Sequence, residues 1–386
     1  MVGTDQQDTP RTKLLNLATA GGLFLISTGS LFGSNINGIL SDRTPAIAAA
    51  LIFFALLVFS QKRLFPREVF GFGLLIVLSL FSLTSHIPEA LNITFASIAF
   101  LAGANTLNLR LSRKIIFTGA AMLILLGFYQ RWILFPEIVS ALEGEARNRI
   151  ASGRIFSAFI LPGQYSAFLA TITPLVLASA LVEKPRALFR ILLLLVLVSL
   201  ALAGSMSGII AVSIGSIFLL GADRRVQIAV GILGCIVLFV AVLPRSEVFD
   251  LASNANPFTL RWATWKATIL GGLQSPIYGH GAGSFSEIFM DRFWTTGADE
   301  VRHPHSWPIL VFFENGIVGL AAWGLIFSSL LRPIRDRSFR APALPFFVAT
   351  LLDVADQSLT LRALGCYCLG ASIDLRSTKF SSNRNP

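Results

Sequence analysis

The chain has 386 residues, of which 54% are hydrophobic and only 13% are charged, and its formal net charge is +10. A soluble domain carries about 25% charged residues, so this composition excludes an ordinary globular protein with a single membrane anchor. The basic balance alone would suit a nucleic-acid-binding protein, but the positions of the charges along the chain favour a different explanation.

Apolar segments close to the ~20 residues that cross a bilayer recur along the whole sequence. They predict an all-α polytopic membrane protein in which residues 1–386 form a single transmembrane domain. About twelve spans are expected, at 14–33, 45–60, 69–84, 90–107, 115–130, 163–182, 187–203, 207–222, 226–243, 307–331, 341–353 and 358–374.

Lysine and arginine are concentrated in alternate connections between these spans. If the N-terminus is cytoplasmic, the inner connections hold about two thirds of the 31 lysines and arginines, as the positive-inside rule requires. Membrane topology therefore explains the positive net charge, and both termini are expected in the cytoplasm. The first 13 residues are polar and contain Asp5 and Asp8, so we expect no cleaved signal peptide.

Two predicted outer segments are long, about 131–154 and 244–306, and both carry arginine against the topological rule. Salt bridges with loop carboxylates are one explanation, and they would make these arginines structural. An anionic ligand at the outer membrane surface is the other, because the planar guanidinium binds phosphate oxygens in pairs. Arg154, Arg261 and Arg302 are candidates under this second interpretation.

The sequence contains no carboxylate pair with metal-ligand spacing and no phosphate-binding glycine loop, so we expect neither a metal nor a cofactor. Cys235, Cys366 and Cys368 fall within predicted spans, where packing is their expected role.

Three motifs follow one another from the second outer loop onward. Arg261 is followed after ten residues by Gly272, and 275–285 reads SPIYGHGAGSF. His305-Ser306 is then followed after nine residues by GIVG, 316–319. In this order the motifs resemble those of the O-antigen ligase and O-antigen polymerase superfamily, which are glycosyltransferases of the bacterial inner membrane.

A segment upstream of these motifs extends the resemblance. GRIFSAFILPGQYSAFLATITPL, with Arg154 as its second residue, is similar to a further segment of the family, so that about residues 150–320 are covered. The resemblance implies a C-type glycosyltransferase-like fold in the inner membrane, with the large loop 244–306 between helices nine and ten in the periplasm. It also implies an inverting, metal-independent transfer of a glycan from undecaprenyl diphosphate to a sugar hydroxyl.

The acceptor is not determined by the motifs. A ligase transfers the glycan to lipid A core, and a polymerase transfers it to another repeat unit. The two activities share fold and motifs, and the complete histidine motif slightly favours a ligase. The expected partners are therefore the lipid-linked donor, a lipid A core or glycan acceptor and membrane lipids, with no nucleic acid.

His305 and Arg261 are the predicted catalytic residues. Histidine can take a proton from the attacking hydroxyl near neutral pH, and arginine can stabilise the charge that develops on the departing diphosphate. Tryptophan side chains could stack on sugar rings or simply pack within the loop. Binding of the diphosphate or glycan is predicted for Arg154, Arg302, Trp262, Trp265, Gly281 and Gly283.

The residues around His305 carry further expectations. A membrane span from 307 would place His305 at a helix mouth, and Gly316 and Gly319 would let a neighbouring helix approach closely. Trp307 and Trp132 are expected in the aromatic belt at the membrane surface. A structural hydrogen bond is the expected role of Glu314.

One position departs from the family. Ser205 is followed by Met206, where relatives commonly have an arginine that contacts the lipid diphosphate. Either Arg154 or another outer arginine supplies this charge, or the donor is handled differently. This departure keeps a non-catalytic scaffold of a cell-wall complex open as an alternative.

A transporter or flippase for the same lipid is a further alternative. Transporters carry ionisable residues near the middle of the membrane, and Asp353, Asp356 and Arg362 are the nearest examples here. Release of undecaprenyl diphosphate by the purified protein would distinguish a transferase from both alternatives.

The charge asymmetry predicts which side of the membrane each connection faces. We expect the 244–306 loop to face the periplasm and the 183–190 and 332–340 segments to face the cytoplasm. Cysteine labelling at Ser253 and Ser338 should therefore report opposite sides. Labelling of both positions from the same side would contradict the twelve-span topology.

Overall fold

The computed structural model describes residues 21–22, 68–80, 87–106, 108–134, 154–159, 161–182, 185–220, 257–294, 301, 303–332, 334, 336–352 and 358–373. Ten helices organise this part of the chain: α1 Glu68–Leu80, α2 Ile87–Asn105, α3 Leu109–Trp132, α4 Pro162–Val182, α5 Arg186–Ala203, α6 Met206–Leu220, α7 Pro257–Gly272, α8 Trp307–Phe327, α9 Arg337–Leu352 and α10 Leu359–Ser372. Short helical turns occupy Phe285–Phe289, Met290–Arg292 and Ser328–Leu331.

The predicted spans that fall within the described residues correspond to helices. By length and composition alone, four helical segments could cross a membrane: Leu109–Trp132, Pro162–Leu181, Arg186–Ala203 and Trp307–Leu331. Shorter apolar helices include α1, α6 and α9. The prediction of an all-helical membrane protein is confirmed for these residues. Apart from residues 21–22, the predicted spans 14–33, 45–60 and 226–243 lie outside the described residues, so the number twelve stays a prediction.

Helix α8 turns back on itself at Gly316. This residue has φ 63° and ψ −158°, which is not a helical conformation. In a straight helix, Trp307 and Phe327 would be about 30 Å apart, but their ring centroids are 6.0 Å apart. A Cβ atom on Gly319 would lie 3.1 Å from Cγ1 of Val311. Residues 307–315 and 317–327 are therefore two antiparallel arms of a helical hairpin.

This reversal corrects three expectations. The 307–331 segment is not one continuous crossing, because each arm is about half as long as a bilayer requires. Gly319 accommodates the other arm of its own hairpin, not a separate helix. Trp307 is only 3% exposed and does not lie in an interfacial belt, whereas Trp132, on the outer surface of α3, is 62% exposed as expected.

Glycine contacts bring the remaining helices close together. A Cβ atom on Gly103 of α2 would collide with the backbone carbonyl of Tyr367 in α10, and one on Gly370 would collide with that of Phe100. A Cβ atom on Gly215 of α6 would collide with the ring of Pro345 in α9. Such approaches supply packing energy that the hydrophobic effect does not provide inside a bilayer.

A buried ion pair joins α1 to the segment after α8. Both guanidinium nitrogens Nε and Nη2 of Arg332 donate to the carboxylate of Glu68, at 2.5 and 3.0 Å. Arg340 in turn donates to the backbone carbonyls of Leu330 and Arg332. Ser338, one proposed labelling position, is buried and bonded to Asp336. Leu331, which is 86% exposed, is the better labelling position in this region.

Candidate active site

His305 lies in the short segment that leads into α8, and it is half-buried. Its φ is 55°, in the left-handed region that non-glycine residues rarely adopt. Such strain costs on the order of 1–3 kcal/mol and persists only where the surroundings fix it. The His305 N–H donates to Nδ1 of His303 at 3.3 Å. Ser306 takes the N-cap position of α8 without a side-chain cap hydrogen bond.

Helix α7 places two of the predicted residues on the side that faces this segment. Trp265 donates from Nε1 to the carbonyl of Pro304 at 2.6 Å, directly before His305. Arg261 lies one turn earlier on the same face of α7. Its Nη1 donates to the carbonyl of Leu352, the last residue of α9, at 2.8 Å. The structure therefore links Trp265 to the segment that contains His305, and Arg261 to the end of α9.

The 275–284 loop is bonded to the reversal of α8. The carbonyls of Phe313 and Glu314 accept from the amides of His280 and Gly281, at 2.9 and 2.8 Å. After the turn, the Ile317 amide donates to the carbonyl of Pro276 at 2.8 Å. These bonds satisfy backbone groups that the interrupted helix releases. The glycine motif and the histidine motif thus form one structural unit.

The glycines of this loop have backbone roles. Gly279, Gly281 and Gly283 have φ values of 70°, 104° and 75°, which favour glycine at all three positions. A Cβ atom on Gly279 would also collide with the backbone of Glu314. In the structure Gly281 forms part of the turn and bonds to α8, and binding of the diphosphate or glycan by Gly281 and Gly283 stays a prediction.

Side chains from the loop and from α8 support the same junction. The carboxylate of Glu314 accepts from the Phe285 amide at 3.3 Å, which agrees with the predicted structural role. His280 contacts the Gly271 carbonyl through Nε2 at 2.9 Å, and its ring centroid lies 4.6 Å from that of Phe313. His280 is therefore part of the packing of this junction.

The spacing between Arg261 and Gly272 also has a packing explanation. A Cβ atom on Gly272 would lie 2.7 Å from Cε1 of Phe312, and one on Gly271 would lie 2.9 Å from Cε2 of Phe313. The C-terminal end of α7 can approach the first arm of α8 only because these positions have no side chain. This contact helps to set the position at which Trp265 meets the segment before α8.

Arg154 lies beside the turn that contains Met206. Its Nε donates to the carbonyl of Ala203 at 2.8 Å, and the next amide, that of Ile155, donates to Leu202 at 3.3 Å. Ala203 is the last residue of α5, Gly204 caps it in the left-handed conformation, and Met206 begins α6. Arg154 therefore comes from a different segment to the position where relatives commonly have arginine.

The other predicted residues have different surroundings. Trp262 is 67% exposed on α7, away from the face that carries Arg261. Trp294, a further tryptophan of the outer loop, is buried against Phe289, with ring centroids 5.8 Å apart. Arg302 lies outside the described residues. Arg292 pairs with Asp291 at 4.0 Å on the surface, as the salt-bridge explanation expects.

The first turn of α10 contains an arginine that the sequence motifs did not select. Arg362 is 4% exposed, and its guanidinium carbon lies 5.1 Å from the centroid of the Trp307 ring. A charged residue inside an apolar span is the signal that could have identified it. Among the described residues, no group of three His, Cys, Asp or Glu side chains is placed to hold a metal ion.

Comparison with known families finds a match over this part of the chain. Residues 155–324, from the segment after Arg154 to the second arm of α8, match the family model of O-antigen ligase. This region belongs to the O-antigen ligase superfamily. The matched residues include Arg261, the 275–284 loop and His305, whereas Arg154 lies one residue before them. A search of curated proteins finds no significant match.

The O-antigen ligase region should depend on the reversal in α8. Gly316→Ala would force a side chain into a conformation that is nearly exclusive to glycine, against the backbone of Ile277. We expect it to lower the free energy of unfolding by about 3 kcal/mol or more. Gly324→Ala is the matched control in the second arm, because a Cβ atom there meets nothing within 4 Å.

Thermal unfolding of both variants in the same detergent measures this difference. The control should be as stable as the parent or gain up to about 1 kcal/mol from its better helix propensity. Equal melting temperatures for Gly316→Ala and Gly324→Ala would show that the reversal is not required for the fold.

Proposed function

We propose that this protein is a glycosyltransferase of O-antigen ligase type in the bacterial inner membrane. It transfers a glycan from undecaprenyl diphosphate to a sugar hydroxyl of an acceptor at the periplasmic face. Lipid A core is the acceptor in a ligase, and membership of the superfamily supports this class of reaction. The known alternative within the same superfamily is a polymerase that extends a surface polysaccharide.

The reaction requires a base and a stabilised leaving group. The acceptor oxygen attacks the anomeric carbon of the donor sugar, and the bond from that carbon to the diphosphate oxygen breaks with inversion. His305 takes the proton of the attacking hydroxyl. Arg261 binds the departing diphosphate, on which negative charge increases as the bond breaks.

The observation that carries this proposal is the arrangement of α7. One face of this helix presents both Arg261 and Trp265, and Trp265 bonds to the carbonyl directly before His305. Helix α7 therefore carries the proposed charge-stabilising residue, and through Trp265 it also holds the segment that contains the proposed base. Such fixed positioning supplies much of the rate enhancement in transfer reactions.

Arg154 is proposed as a second group for the diphosphate. Its contact with the last carbonyl of α5 places it beside Met206, and it could supply the charge that relatives commonly have at that turn. Arg302 is retained as a candidate from its position in the outer loop. Trp265 is assigned to positioning, since its indole N–H is bonded to Pro304, and Trp262 to glycan or lipid contact on the exposed face.

Variants at Arg261 and His305 should lose activity for different reasons. Arg261→Lys keeps the charge but loses the paired hydrogen bonds, so transfer should fall by about a hundredfold or more. His305→Ala should leave donor binding within a few-fold and reduce transfer by about 10²- to 10⁴-fold. Donor binding and single-turnover release of undecaprenyl diphosphate should be measured side by side on both variants.

Arg292→Lys is the matched control for these experiments, because Arg292 lies in the same loop and its side chain is exposed. It should bind and transfer as the parent does. If His305→Ala transfers at the parental rate, the histidine is not the base. Normal binding and transfer by Arg261→Lys would place the diphosphate site elsewhere, with Arg154 the next residue to change. Product length distinguishes a ligase, which adds one glycan to lipid A core, from a polymerase.

The proposed chemistry uses no divalent metal, because arginine supplies the positive charge that a metal provides in many glycosyltransferases. Transfer should therefore continue unchanged in excess EDTA. Activity lost in EDTA and restored by magnesium or manganese would overturn this part of the proposal.

A further inference from the structure

The backbone of His305 is bracketed by two contacts from helices far apart in the sequence. On one side, Trp265 of α7 donates to the carbonyl of Pro304 at 2.6 Å. On the other, Arg362 of α10 lies over the ring of Trp307, with 5.1 Å between the guanidinium carbon and the ring centroid. These contacts act one residue before His305 and two residues after it.

The contact between Arg362 and Trp307 lies inside the protein. Arg362 is 4% exposed and Trp307 is 3% exposed. Desolvation strengthens the attraction between a cation and an aromatic face, and a charge kept inside an apolar helix usually serves a function. Trp307 also contacts Phe327 of the second arm, with ring centroids 6.0 Å apart, so its ring is held on two sides.

A fixed Trp307 ring constrains His305 directly. Two residues of chain span at most about 7 Å, so a fixed Trp307 restricts how far the backbone at 305 can move. His305 has a φ of 55°, and the contacts on either side would have to maintain this strained conformation. Neither flanking contact involves the His305 side chain.

We propose that Arg362 is a positioning residue that acts through Trp307 to hold His305 in its left-handed conformation, with Trp265 as its counterpart on the other side. This inference rests on the proposed role of His305 as the base. Without Arg362, the His305 backbone relaxes toward ordinary φ values and the imidazole moves away from the acceptor hydroxyl. Donor binding, which depends on Arg261 and Arg154, is unaffected.

Steady-state kinetics of Arg362→Met test this role. We expect kcat to fall about 10- to 100-fold, as small misplacements of a catalytic group do, with the donor KM within about twofold of the parent. Arg362→Lys keeps a cation near the ring and should recover part of kcat. Trp307→Phe keeps an aromatic ring with a weaker face and should lower kcat in the same direction. It also provides the test if Arg362→Met does not fold.

Arg340→Met is the matched control. Arg340 is also a buried arginine, 1% exposed, but it bonds to the carbonyls of Leu330 and Arg332 in the turn that follows α8. This variant should lower the melting temperature while kcat per folded protein stays within about twofold, because Arg340 bonds to the turn after α8 and not to Trp307 or Pro304. A merely structural role for Arg362 would give the same result as Arg340→Met.

A double variant separates this inference from the proposed function. If Arg362 acts through His305, adding Arg362→Met to His305→Ala should cause no further loss of single-turnover transfer, because residues that act as a unit are not additive. A full additional loss would overturn the positioning role. A large rise in donor KM with unchanged kcat would also overturn it and place Arg362 in donor binding. Parental transfer by His305→Ala refutes the proposed base itself.

Discussion

The hydrogen bonds between the 275–284 loop and the reversal of α8 are the constraint on which the site depends. A helix that turns back leaves carbonyls and amides without their intrahelical partners, and in an apolar environment such groups are costly. Here the carbonyls of Phe313 and Glu314 accept from loop amides, and the Ile317 amide donates to a loop carbonyl. The turn at Gly316 is therefore stable only together with the loop.

This junction explains why the glycine motif and the histidine motif, which are separate in the sequence, lie together in the structure. Gly279 and Gly316 allow the loop and the reversal to approach backbone to backbone, and Gly272 allows α7 to pack on Phe312. The second arm of α8 then runs back along the first, so that Phe327 lies beside Trp307. The position of His305 follows from these contacts, because it immediately precedes this arm and follows the carbonyl bonded by Trp265.

Hydropathy predicted the helices but not the reversal of α8. The two arms of α8 are both apolar and together have the length of one crossing, so their composition resembles a single span. The turn is visible in the backbone of Gly316, which has a positive φ, and not in the hydropathy of the segment. The motifs selected Arg261 and His305, because their spacing is local. Arg362 could not be selected in this way, since its partner Trp307 is distant in the chain and the contact exists only after α8 and α10 pack.

Arg154 and Arg261 are anchored in the same way. Each donates to the carbonyl of the last residue of a helix, Ala203 of α5 and Leu352 of α9. Carbonyls at this position lack intrahelical donors and carry the partial negative charge of the helix dipole. Such a contact orients the guanidinium through one of its five N–H groups. Unlike a bond to a carboxylate, it does not itself cancel the net positive charge. The same anchoring at two helix ends fixes where each guanidinium lies, and it is the physical basis for the proposal that Arg154 acts at the turn where Met206 provides no charge.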